Sequence, residues 1–133
     1  MEEKPLAILE RLLSQPVRVQ NMHCLRSHDL WGTFATNEQL RAAEAEFAAA
    51  YREVVAEVQV VWGPPAFSGD FDSPAFPRWC PAAELSYWRK GSRLACIWWE
   101  HQDNDAPVAL VLHVAADTES GGLSAEPIAA EPC

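Results

Sequence analysis

Apolar residues recur along the chain at two helical spacings before any other regularity is visible. Behind Pro5, Leu6, Leu9, Leu12 and Leu13 step by three, three and one until Pro16. Proline suits a first helical turn and forbids continuation, so a short N-terminal helix is expected between them. A longer stripe of Leu40, Ala43, Phe47, Tyr51, Val54, Val58 and Val61 follows Thr36 and Gln39, which are spaced as a capping box. It ends at "WGPP", where Gly63 can close the helix and Pro64 and Pro65 block extension. About 25 residues of helix would be on the order of 37 Å long, enough to cross a small sheet. This is the expected core helix, and its Ala-rich face leaves room for a homodimer. Between the two helices, residues 17–35 alternate only weakly, and a strand or two is expected there without assigned bounds.

The C-terminal half changes period. "RKGS" and "HQDNDAP" carry the Gly, Asp and Asn of tight turns, and they separate three alternating runs at roughly 84–89, 92–101 and 107–115. The expectation is an antiparallel meander. Turns centred between Lys90 and Gly91 and on Asn104 place Leu85, Tyr87, Leu94, Cys96, Trp98, Leu110, Leu112 and Val114 on one face, the one to meet the long helix. The other face then carries Trp88, Arg93, Ile97, Trp99, Val111 and His113. Trp88 would oppose Arg93 as a cation–π pair, and Trp99, Ile97 and Val111 form a patch too apolar to stay wet without a reason.

Residues 64–83, "PPAFSGDFDSPAFPRWCPAA", hold five prolines and four large aromatics, Phe67, Phe71, Phe76 and Trp79. No regular structure is expected in them. The aromatics either cover core or form a lid or partner-binding loop. The fold class is therefore α+β: one long helix on an antiparallel sheet, the three-stranded meander plus N-terminal strands, with a short first helix. Residues 1–116 form one domain, and residues 117–133, small and acidic with scattered Leu and Ile, form a flexible tail.

Charge narrows the function classes. Ten basic against nineteen acidic residues give a net charge of -9, a surface unsuited to phosphates or anionic lipids, so neither a nucleic-acid nor a membrane partner is expected. An acidic mimic of nucleic acid is a weak alternative, because four of the acids lie in the tail. The opening "MEEKPLAILERLL" lacks the basic and apolar regions of a signal peptide, and no apolar run is long enough to span a membrane. A soluble, cytoplasmic protein is expected. Cys24, Cys80, Cys96 and Cys133 show no C-x-x-C pair and are expected as free thiols.

Candidate chemistry is sparse, and the sequence bears no cofactor or catalytic motif. His101 and His113 would lie roughly 20 Å apart along neighbouring strands at about 3.3 Å per residue, too far to share a metal. Glu100 and His101 point to opposite faces, while Asp103 and Asp105 flank a turn without further calcium ligands. His23, Cys24, His28 and Asp29 have ligand types but no metal spacing.

The expected function is a non-enzymatic module that binds a protein partner, a basic one in keeping with the charge. Bacterial immunity proteins and antitoxins supply the class by analogy. Its binding residues would be Trp88, Arg93, Ile97, Trp99, Val111 and His113 on the sheet, with Phe71, Phe76 and Trp79 from the loop. The alternative is an enzyme or small-ligand-binding protein with a pocket between that loop and the Trp-bearing face.

Overall fold

The computed structural model describes residues 4–15, 22–28, 36–76, 80, 82–101 and 108–116. In chain order the elements are α1 (Pro5–Leu13), β1 (Met22–His28), α2 (Asn37–Trp62), β2 (Phe67–Asp70), β3 (Glu84–Lys90), β4 (Arg93–Glu100) and β5 (Val108–Ala116). The strands form one antiparallel sheet in the order β1-β5-β4-β3-β2. The architecture is α+β, with both helices on one side of the sheet. Val17, Trp79, the turn around Asn104 and the tail expected from Asp117 lie outside the described residues.

α2 forms as its caps dictate. The Thr36 hydroxyl accepts from the Gln39 backbone N–H at 3.1 Å, and the Gln39 side chain accepts from the Thr36 N–H at 2.8 Å, so two otherwise orphaned donors are satisfied. At the other end the Gly63 N–H donates to the Gln59 carbonyl, and its φ of 79° is one that residues with a β-carbon avoid. Ala43, Phe47, Ala48, Tyr51, Val54 and Val58 face the sheet. Val61, expected on the same stripe, is 63% exposed, and Trp62 packs against the core in its place in the last turn.

The meander exists, with two corrections to its register. β3 and β4 pair Tyr87 with Cys96 and Leu85 with Trp98 around a Gly91–Ser92 turn, two residues from the expected alignment. A shift of two preserves which residues share a face. β4 and β5 pair Trp98 with Val111, Cys96 with His113 and Leu94 with Ala115, one residue from the expected alignment, and a shift of one exchanges the faces.

For β3 and β4 the helix side is the opposite of the one expected, whereas Leu110, Leu112 and Val114 on β5 face the helices as expected. Trp88, Ala95, Ile97 and Trp99 join Leu110, Leu112 and Val114 beneath α1 and α2, packed against Ile8, Leu9, Phe47, Tyr51 and Val58. The far side carries Leu85, Leu94, Cys96, Trp98, Ala109 and Val111, covered by Cys80, Ala82, Phe67 and Phe76. Central strands buried on both sides are apolar on both, so alternation gives no parity signal for choosing the helix side.

The proline-rich segment also holds a strand. Phe67–Asp70 pairs with β3, and the Phe67 ring stacks on Tyr87 at 5.5 Å. A β-carbon on Gly69 would stand 2.6 Å from the Ser73 hydroxyl, so a larger residue there would have to move that side chain, where the chain folds back after Asp70.

Candidate functional site

The register brings three polar side chains into line at one end of the sheet's helix side. Asp70 on β2 is directly opposite Glu84 on β3, and Glu84 is directly opposite Trp99 on β4. His101 follows two residues after Trp99, and from α2 Glu44 reaches His101 while Arg52 reaches Glu84. With Phe71 and Ala83 these residues line an open cleft of about 510 Å³.

Glu84 is the hub. Its Oε1 accepts from Trp99 Nε1 at 3.2 Å and from Arg52 Nη2 at 3.4 Å. Arg52 is 68% exposed, so this pair is held in water and is weak. Asp70 uses Oδ1 within its own turn, accepting from the Asp72 N–H at 3.0 Å. Glu44 Oε2 lies 2.8 Å from His101 Nδ1. A carboxylate only accepts, so that ring nitrogen carries the hydrogen. The His101 side chain is 4% exposed, and its other nitrogen, Nε2, is buried with no hydrogen-bond partner among the described residues.

Of the nine expected binding residues, Trp99 and Phe71 line this cleft. Phe71 is 66% exposed at its rim, whereas Trp99 shows the solvent little of its ring. The others are placed differently. Trp88 and Ile97 are core beneath α2. Trp88 faces Ala95 across the strands, not Arg93, and its Nε1 donates to the Gly63 carbonyl at 2.8 Å. Lys90 is the cation that sits over an aromatic ring here, 4.1 Å from the centre of Trp62. Arg93 Nη1 instead donates to the carbonyls of Leu13 and Gln15, at 2.9 and 2.6 Å, closing the end of α1. Val111 and His113 lie on the far side, with His113 5.4 Å from the Trp98 ring. His101 and His113 are thus on opposite sides of the sheet. Phe76 packs edge-on to Phe67, also on the far side, and Trp79 is outside the described residues.

A polar network that the sequence did not announce ties the layers together. The Tyr51 hydroxyl lies 2.6 Å from the Ser86 hydroxyl, which lies 2.9 Å from that of Ser68. Burial raises the Tyr51 pKa, with the Ser86 hydrogen bond opposing it, so the phenol stays protonated and can donate.

The described cysteines do not supply a nucleophile. Cys80 and Cys96 are free and buried; burial pushes the Cys80 thiol up to about 12 and Cys96 well above its ordinary value. Thiols so desolvated are not thiolates at neutral pH. Cys24, expected as a free thiol, is disulfide-bonded. Among the described residues no three His, Cys, Asp or Glu side chains are grouped to hold a metal, and no helix is long and apolar enough to cross a membrane.

Comparison of the chain with protein-family models, curated proteins and solved structures finds no match. The reading of the cleft therefore rests on its own geometry.

Proposed function

We propose that the chain is a non-enzymatic binding module that captures a basic protein through the acidic cleft. The observation that carries this reading is the imbalance of the lining: among the described residues, Glu44, Asp70 and Glu84 stand against one cation, Arg52, in a chain of net charge -9. An open cleft with an exposed aromatic at its rim suits a side chain offered by a partner, and the surrounding negative field speeds capture of a positive one. Immunity proteins and antitoxins of bacteria are the class of small acidic binder intended. The expected contact surface changes accordingly, from the buried Trp88 and Ile97 to Phe71 and the carboxylates around it.

The His101–Glu44 pair favours a second reading, a small-ligand-binding protein or enzyme that uses the same cleft. Its volume of about 510 Å³ is within the range of small-molecule sites, and an imidazole oriented by a carboxylate is a familiar proton acceptor. Capture from a lysate of the source organism separates the two readings when wild type is compared with the Asp70→Asn/Glu84→Gln double variant. Retention of a basic protein by wild type, lost at raised salt and lost from the folded variant, supports the module. Equal retention by both overturns it.

A further inference from the structure

We infer that the group taken by the cleft is a guanidinium, so that the partner enters with an arginine side chain; this rests on the basic-partner reading above. The first ground is a like-charge conflict. Asp70 and Glu84 are directly opposed across β2 and β3, an arrangement that destabilises a strand pair unless a cation lies between or above the carboxylates. Arg52 answers only one of them, at 3.4 Å and largely in solvent.

The second ground is the character of the atoms left over. Within the cleft, Glu44 holds His101 through Oε2, Glu84 holds Trp99 and Arg52 through Oε1, and Asp70 holds its own turn through Oδ1. That leaves Glu44 Oε1, Glu84 Oε2 and Asp70 Oδ2 as acceptors. His101 adds a fourth. With Nδ1–H directed at Glu44, its Nε2 carries a lone pair; it is buried with no donor among the described residues, and a ligand meets it by displacing what covers it. An unmatched buried acceptor is costly, and a donor brought by a ligand, or by a water, relieves it. The cleft thus calls for many donors and a positive charge on one group.

The third ground separates arginine from lysine. A guanidinium is a planar fork of five N–H donors that bonds carboxylates in pairs and stacks on aromatic faces; an ammonium has three donors and no plane. Phe71, exposed at the rim, provides the aromatic surface beside the Asp70 and Glu84 carboxylates.

The test uses the full chain and two capped hexapeptides, identical except that one carries two arginines and the other two lysines. Affinity is measured by calorimetry, and the His101 ring is followed by its nitrogen and proton resonances. The arginine peptide is expected to bind at least about tenfold more tightly, the worth of one charge-assisted hydrogen bond, and to move the His101 ring signals. Glu84→Gln, which keeps an acceptor for Trp99, should erase most of that preference. Asp70→Asn keeps its turn and should do the same, so the result does not depend on one variant folding. Equal affinity for the two peptides removes the guanidinium inference and leaves the basic-partner reading standing. Binding of neither overturns both. A preference for arginine that leaves the His101 signals and both variants unaffected overturns the cleft as its site.

Discussion

Trp98 and Trp99 are neighbours in β4 whose side chains enter different cores. Trp99 packs beneath α2 with Phe47, Val54 and Leu110 among its cluster, and Trp98 lies on the far side with Leu85, Cys96 and Val111 under Phe67, Phe76, Cys80 and Ala82. One cover is a helix with a repeating apolar face; the other is assembled from a short edge strand and irregular chain. Both bury the middle of β4, since residues 94–99 are all buried. Burial alone thus says nothing about which cover a strand has. The difference appears at the sheet's end, where the helix side opens into a polar cleft.

The largest expected effect tests whether the two covers are energetically equivalent. Trp98→Ala and Trp99→Ala should each cost about 3–5 kcal/mol, as large aromatic truncations in cores do. Trp98, 1% exposed with Nε1 bonded to Glu100 at 2.8 Å, belongs at the upper end; Trp99, 9% exposed beside the cleft, belongs at the lower. Urea midpoints measure both. A nearly silent Trp98→Ala would mean that the irregular cover contributes little and the helix side alone holds the fold.

How much of this was legible in the sequence follows the same division. Both helices, the capping box at Thr36 and Gln39 and the stop at Gly63 could be read, because local chemistry and a period of 3.6 residues determine them. The meander could be read from its turn residues. Its faces could not: in "LACIWW" and "VALVLHV" both alternating sets are apolar apart from His113, which is itself buried, so a one-residue slip is hardly marked by polarity. β2 was hidden among prolines because its support is the Phe67–Tyr87 stack with β3, a contact across twenty residues. The cleft depends on that hidden strand. Asp70 reads as a turn residue and Glu84 as a strand start until the register opposes them, and His101 meets Glu44 from 57 residues away.

The second effect sharpens the contrast through pH. His113 lies on the far side, opposite Cys96 on β4 and Met22 on β1, and burial lowers its pKa from 6.5 to about 4. The neutral ring is favoured in the fold, so between these values the unfolded chain binds a proton that the native chain does not. Stability from this group is full above about pH 6.5 and falls as pH drops toward 4, by up to about 3 kcal/mol. His113→Leu should flatten that part of the stability–pH curve. An unchanged slope would mean that the far side admits water to His113.

A smaller effect belongs to the helix side. Ser86 is fully buried and joins the hydroxyls of Tyr51 and Ser68, linking α2, β3 and β2. Ser86→Ala removes one of the two hydroxyls that Tyr51 bonds and leaves it that of Ser68, at a cost of about 1–2 kcal/mol. Tyr51→Phe in the same background should recover part of it, since removing both partners leaves no unmet group. If the double variant is as unstable as the sum of the singles, the hydroxyls do not act as one network.

The smallest expected effect concerns the tie between α1 and the sheet. Arg93 was expected to stack on Trp88 but reaches the other way, its Nη1 shared between the Leu13 and Gln15 carbonyls. Those oxygens belong to the C-terminal end of α1, where carbonyls lack helical partners and the helix dipole favours a positive charge. Arg93→Met keeps much of the apolar stem and removes only the donors and the charge. The carbonyls can turn to water, so the loss should be about 1 kcal/mol in the urea midpoint. Amide exchange gives the sharper readout, because the loss should fall on the last turn of α1 and leave the N–H groups of α2 protected as before. Uniform loss of protection across both helices would mean that α1 and α2 cover the sheet as one cooperative layer. Unchanged exchange in α1 would mean that Leu9 and Leu12, buried against the sheet, hold the helix without its cap.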